Sequence, residues 1–206
     1  MLRLIGRPAP VTTALIIINS LIFAYGMLSQ SQQDIIMHYG FVPDELFRDG
    51  NAPLSDSLMR LFTSMFIHAN ITHIAFNMFA LAYMGGSAER SVGVPRFIAL
   101  YILAGLGGAL LYGAVASYIL LNGDTLLIGA SGAISGVLGI SAAMGDIRGY
   151  YWLAIQILFA FIGSFAAITI AFMAHVGGFL TAALGTKVMI EHERRKRRWY
   201  SDTFSM

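Results

Sequence analysis

The chain has 206 residues, of which 57% are hydrophobic and 12% are charged, and its formal net charge is +2. A soluble domain of this length would carry about twice that charged fraction, so the composition excludes an ordinary soluble protein. The absence of cysteine excludes disulfides, thiolate metal sites and a cysteine nucleophile.

Several apolar runs reach the roughly 18 residues that predict a membrane-spanning helix. We therefore predict an all-α polytopic membrane protein with six spans. The first five are expected at about residues 11–28, 71–85, 97–121, 131–144 and 151–164, and the sixth follows a turn near 165–167 and ends near 190. This assignment places a membrane domain at 11–190, between an N-terminal segment (1–10) and a basic tail (191–206).

The connection between the first two spans, residues 29–62, is long and acidic, and we name it the outer loop. Its apolar clusters predict short helices lying at the membrane surface. With six spans, only Arg48 and Arg60 of the thirteen Lys and Arg residues lie on the same side of the membrane as this loop. This imbalance predicts an inner (plasma) membrane protein with both termini in the cytoplasm. The run Arg194–Arg198 follows a span directly, so we expect it to face anionic lipid rather than nucleic acid.

The predicted fourth span is short. Its helix would extend over roughly 21 Å, against a hydrocarbon core of about 30 Å. The preceding chain, Leu126 to Ala130, must therefore enter the membrane as non-helical backbone, which is tolerated only inside protein or beside a watery cavity. Ser131 is thus expected at a helix N-terminus below the outer surface, with its backbone amide unpaired.

His175 is the first candidate partner for Ser131, because it lies about six residues into the sixth span, at a similar depth. Glycines beside both residues would let the two helices approach closely enough for a serine–histidine hydrogen bond. These glycines are Gly132, Gly136, Gly177 and Gly178. No Asp or Glu lies within a predicted span core, which favours a two-residue dyad. Taken alone, a serine in an apolar helix is more often a packing residue, and a histidine there can be one too.

Three further polar residues lie near the start of the second span. His73 and Asn77 are four residues apart and therefore share one helix face, where with the Ser131 amide they could form an oxyanion hole. Contact between helices is the alternative role. His68 lies at the loop boundary and is expected to orient the loop. A metal site of His68, His73 and His175 is less favoured, because no carboxylate assists and the serine would have no use.

Together these residues resemble a known family. The motifs are His68-x4-His73-x3-Asn77, Gly86-x2-Glu89-x3-Gly93, Gly129-x-Ser131-Gly132 and Ala174-His175-x2-Gly178. Each motif is weak alone, but the four in this order, in the corresponding spans, resemble the rhomboid intramembrane serine proteases. The resemblance extends from Pro43 through the sixth span.

The resemblance implies a six-helix, rhomboid-like bundle with a short central fourth helix. Ser131 would attack the peptide carbonyl, and His175 would act as general base and then as general acid. His73, Asn77 and the Ser131 amide would hold the oxyanion, and Gly129, Gly132 and His68 would shape the site. Glu89 would join a polar network at the cytoplasmic end of span two. The substrates would be transmembrane segments with a small residue before the cut, and neither a metal nor a cofactor is implied.

Two positions depart from the family pattern. Some members carry a tyrosine or phenylalanine one turn after the serine, packed against the base, whereas this chain has Ser135 there. Ala182 stands where a glycine often continues the packing motif of span six. Neither change removes a catalytic atom, but both bear on efficiency.

Two other functions compete with an endopeptidase. One is a catalytically inactive rhomboid-like scaffold that binds transmembrane clients, a state reached by loss of the serine or histidine, and this chain keeps both. The other is a small transporter or channel, which would need paired ionisable residues along a path through the bilayer. The inner halves of the predicted spans hold none. A membrane-embedded serine endopeptidase is therefore the favoured prediction, with its substrate and oligomeric state left open.

Overall fold

The computed structural model describes residues 9–48, 52–166 and 171–204. It contains nine α-helices in this described part of the chain, with one 3₁₀ turn between α4 and α5. The helices are α1 (Pro10–Leu28), α2 (Gln32–Tyr39), α3 (Pro43–Phe47), α4 (Leu54–Thr63), α5 (Ile71–Val92), α6 (Val94–Tyr118), α7 (Ser131–Ala143), α8 (Ile147–Ala166) and α9 (Ala171–Phe204). The predicted all-helical architecture is confirmed.

Among the residues that the structure describes, three helices are long and apolar enough to cross a membrane: Pro10–Leu28, Val94–Tyr118 and Phe172–Tyr200. A fourth span passes the same test if Leu54–Phe66 and Ile71–Val92, which meet at an angle of 77°, are counted together. The chain is therefore a multi-pass membrane protein, and the count of six spans stays a prediction. Residues 1–8 of the predicted N-terminal segment lie outside the described residues, as does residue 167 of the predicted turn.

Two helices continue beyond their predicted ends. Helix α5 was expected to stop near residue 85, but it runs to Val92 because nothing breaks the helix until Gly93, whose φ of +85° is left-handed. Helix α9 continues through the basic run to Phe204, so no break in the helix separates the predicted tail from the sixth span. The domain boundaries drawn from the sequence stay predictions.

Helix α7 lies at the centre of the bundle. Its residues from Gly132 to Ile140 are all buried, and it packs against α5, α6, α8 and α9. Glycines allow this, because a methyl group at Gly178 would overlap the carbonyl oxygen of Gly132. Ala182 is fully buried, and a Cβ at Gly136 would lie 3.2 Å from its methyl group. The alanine is therefore accommodated because its neighbour on α7 is glycine.

The outer loop folds into short helices, as the sequence predicts. Helix α4 is amphipathic: it buries Ser57 and Leu61 and exposes an apolar stripe formed by Leu54, Leu58, Met59 and Phe62. An ion pair between Arg60 and Glu45, with N and O atoms 3.1 Å apart, joins α4 to α3. A stripe of this kind is typical of a helix that lies in the membrane interface.

A buried carboxylate joins α1 to the distant end of α5. Glu89 is 2% exposed, and its two oxygens accept hydrogen bonds from the Val11 amide at 3.1 Å, the Thr12 amide at 2.8 Å and the Thr12 hydroxyl at 2.7 Å. These two amides lie in the first turn of α1, where N–H groups have no partner within the helix. The carboxylate therefore caps one helix from another.

We expect Glu89→Gln to lower the free energy of unfolding by about 1.5–3 kcal/mol, because hydrogen bonds to a charged acceptor contribute about that much. The measurement is a denaturant titration of the purified protein in detergent. Glu191→Gln is the matched control, because Glu191 is 54% exposed in an i, i+4 pair with Arg195. Equal stability losses in the two variants would contradict the capping role of Glu89.

Candidate active site

Ser131 is the first residue of α7, and the chain that leads to it is non-helical from Leu126 to Ala130. The outer loop and the 3₁₀ turn that follows α4 provide hydrogen-bond partners for this backbone. Leu127 exchanges two hydrogen bonds with Phe41, at 2.8 and 3.0 Å, and the Gly129 amide donates to the Ser64 carbonyl oxygen at 2.9 Å. The irregular backbone is therefore held within protein, as its predicted depth requires.

Ser131 and His175 are in contact. The Nε2 atom of His175 on α9 lies 2.8 Å from the hydroxyl oxygen of Ser131 on α7, across 44 residues of chain. Both side chains are half-buried. The contact is possible because α7 and α9 meet backbone to backbone at Gly132 and Gly178. A histidine nitrogen at this distance can take the serine proton directly.

The imidazole of His73 packs against Gly129. A Cβ atom at Gly129 would lie 2.6 Å from His73 Nε2 and 3.8 Å from the Ser131 hydroxyl oxygen. The imidazole of His73 and the serine hydroxyl therefore border the same small space. The Ala69 amide donates to His73 Nδ1 at 3.5 Å. This bond favours the neutral tautomer that carries its proton on Nε2, facing that space.

Asn77 follows His73 by one turn of α5 and is 6% exposed. Its Nδ2 group donates to the His73 carbonyl oxygen at 2.8 Å. One hydrogen of a side-chain amide is used in this bond, so the second is available to another acceptor. His73 and Asn77 thus present two N–H donors on the face of α5 that packs against α7.

The ring of His68 packs against the ring of His73. His68 is 1% exposed, and its ring meets the ring of His73 edge to face, with centroids 5.0 Å apart. Its carbonyl oxygen accepts a hydrogen bond of 2.5 Å from Gln32 Nε2 in the outer loop. Gln32 belongs to no motif, and no sequence pattern predicts this contact between residues 36 apart.

One alternative and one expectation drawn from the sequence can be compared with this geometry. Within the described ranges, no three His, Asp or Glu side chains are grouped so that they could hold a metal ion. The proposed histidine metal site of His68, His73 and His175 is therefore not formed. Glu89 lies twelve residues from Asn77 along α5, roughly 18 Å away at 1.5 Å per residue, so it belongs to the opposite end of the bundle.

A small cavity is lined in part by Ser131 and lies between the helices of the bundle and the 3₁₀ turn that follows α4. Its walls include Ser64, Leu127, Gly132 and Ala174. The volume of the cavity is about 10 Å³. That volume suits about one water molecule or a very small side chain.

Comparisons with known proteins all point to one protein family. A family model described as "Rhomboid domain" matches residues 55–192. The chain is 39% identical over 87 residues to Rhomboid protease AarA of Providencia stuartii, covering 38% of this chain and 31% of that protein. It is 35% identical over 138 residues to Rhomboid protease GluP of Bacillus subtilis, covering 61% and 26%. It is 34% identical over 107 residues to Rhomboid-like protease 1 of Toxoplasma gondii, covering 52% and 33%. The chain spans about a third or less of the length of these relatives.

Gly129 offers a direct test of the His73 placement. We expect Gly129→Ala to slow the labelling of Ser131 by a fluorophosphonate at least about 10-fold, because a methyl group there displaces the imidazole and a 10-fold rate change needs only about 1.4 kcal/mol. The matched control is Gly145→Ala. Gly145 also has a positive φ, +100°, but has no atom within 4 Å of a Cβ. If both variants lose labelling equally, backbone strain and not His73 is responsible.

Proposed function

This chain belongs to the rhomboid family, and on that premise we propose that it is a serine endopeptidase that cleaves transmembrane segments of other membrane proteins. Ser131 is the nucleophile and His175 is the general base. The observation that carries the proposal is the 2.8 Å contact between His175 Nε2 and the Ser131 hydroxyl oxygen, made between two apolar helices. The names of the relatives, which are proteases in all three cases given above, support the same reaction class.

In the proposed mechanism the Ser131 oxygen attacks the scissile carbonyl carbon while its proton passes to His175 Nε2. The carbonyl oxygen becomes negative and accepts hydrogen bonds from the Ser131 amide, His73 Nε2–H and Asn77 Nδ2–H. His175 then gives its proton to the leaving amine. Water hydrolyses the acyl-enzyme by the same steps, with His175 again as base. The reaction needs no metal and no cofactor.

The substrate is a polypeptide that reaches the site from the membrane. Side chains on the outer parts of α5, such as Phe76 and Phe79, are 71% exposed and apolar, as expected for a surface in contact with lipid. The cavity beside Ser131 is too small for a large side chain. Both features support a transmembrane substrate with a small residue before the cut.

The predicted orientation has structural support. The start of α1 meets the end of α5 through Glu89, and the start of α6 meets the basic end of α9 through an ion pair between Arg96 and Glu193. The starts of α1 and α6 and the ends of α5 and α9 therefore lie together at one end of the bundle, away from Ser131. We propose that this end faces the cytoplasm and that the active site lies near the outer face of the plasma membrane.

We expect Ser131→Ala and His175→Ala each to lower cleavage of a single-span test substrate by at least about 10⁴-fold, because a serine protease loses that much when a member of its catalytic set is removed. The assay uses purified protein in liposomes and gel detection of the products. Ser141→Ala is the control on the same helix, because the Ser141 hydroxyl donates to the Val137 carbonyl oxygen instead. Wild-type protein that binds the substrate without cutting it would support the scaffold alternative.

For the oxyanion donors, we expect Asn77→Ala to lower turnover by about 10²–10³-fold with the fold retained. Asn19→Ala is the matched control. Asn19 is also buried and donates in the same way to the carbonyl oxygen four residues earlier, at 2.7 Å compared with 2.8 Å for Asn77, but it lies on α1. A loss of only a few-fold in Asn77→Ala, or an equal loss in Asn19→Ala, would assign Asn77 to packing.

A further inference from the structure

The imidazole of a general base must be held as well as placed. The hydrogen bond to Ser131 sets the position of one ring atom of His175, Nε2, whereas the orientation of the ring plane depends on the other contacts of the ring. The residue one turn after the nucleophile, Ser135, carries no ring that could restrain it. Ser135 is 1% exposed, and its hydroxyl has no hydrogen-bond partner among the described residues.

An aromatic ring does meet His175, from its own helix. Phe172 lies one turn earlier on α9, and i, i+3 side chains on a helix are neighbours. The two ring centroids are 5.7 Å apart and the ring planes are inclined at 81°. This edge-to-face arrangement is the geometry that aromatic pairs prefer, at centroid distances of roughly 4.5–7 Å.

Phe172 differs from a core phenylalanine in its burial, because its side chain is only half-buried. Phe179, seven residues later on the same helix, shows the opposite pattern. It is 2% exposed, belongs to a cluster with Leu138 and Ala142, and meets the ring of Tyr150.

We propose that Phe172 is a positioning residue for the reaction: its ring restrains the imidazole of His175 so that Nε2 stays directed at the Ser131 hydroxyl. The inference rests on the proposed endopeptidase function. It assigns to a residue outside the sequence motifs the support that Ser135 does not supply. Because the ring touches the base and not the substrate, its removal should affect turnover and leave substrate binding unchanged.

The test compares two substitutions of the same kind on one helix, Phe172→Leu and Phe179→Leu, in purified protein reconstituted in liposomes with a single-span substrate. We expect Phe172→Leu to lower kcat by about 3- to 10-fold with KM and Tm unchanged, which is the rate equivalent of one edge-to-face pair. Phe179→Leu should lower Tm and leave the kcat of the folded fraction unchanged. Phe172→Tyr, which keeps the ring, should restore kcat, and Ser135→Ala should change it by less than about 2-fold.

The outcomes separate the two proposals. If the wild-type protein cleaves and Ser131→Ala does not, but Phe172→Leu keeps full kcat, the positioning role is overturned and the endopeptidase stands. The role is also overturned if Phe172→Leu lowers Tm as much as Phe179→Leu, or if Phe172→Tyr fails to restore kcat. Wild-type protein that neither cleaves nor labels with a fluorophosphonate overturns both proposals.

Discussion

The backbone contact between α7 and α9 is the constraint on which the rest of the site depends. Within a bilayer, apolar side chains gain little by leaving lipid for protein, so helices associate through close packing of small residues. At Gly132 and Gly178 no side chain separates the two helices, and a methyl group on Gly178 would overlap the opposite backbone. Only at this separation can the short side chain of Ser131 reach the imidazole of His175.

The outer loop also stabilises the position of Ser131, through hydrogen bonds to the backbone that precedes it. A span as short as α7 leaves five residues of non-helical backbone before Ser131, and such backbone must find hydrogen bonds within protein. Phe41 exchanges two of these bonds with Leu127, and Ser64, in the 3₁₀ turn after α4, accepts a third from Gly129. Before this stretch, the Asp44 amide donates to the Gly123 carbonyl oxygen at 3.0 Å. The loop therefore helps to hold Ser131 in place through the chain that precedes it, in addition to its contact with His68 through Gln32.

The buried polar side chains of α5, Asn77 and Glu89, lie toward its two ends. One end carries His73 and Asn77, near Ser131, and the other carries Glu89, hydrogen-bonded to the first turn of α1. The turns between them expose Phe79 and Tyr83 and bury Leu81, with no charged residue until Glu89. A buried carboxylate is costly unless fully hydrogen-bonded, and the unpaired amides of a helix start supply the needed donors.

Local patterns in the sequence determined the helical class, the short fourth helix, the position of Ser131 at its start, and the common face of His73 and Asn77. These features follow from periodicity and spacing, and the order of four motifs was enough to identify the family. The apolar pattern of the sequence did not determine that α5 continues to Val92, before Gly93, or that the basic tail is helical. In both places the residues beyond the apolar run still favour a helix, so the helix continues after the pattern has ended. The tertiary structure alone decided the 2.8 Å approach of residues 131 and 175, the hold of Gln32 on His68 and the ring contact of Phe172. Such contacts depend on how separate helices pack and on which way each side chain turns, and spacing along one chain encodes neither.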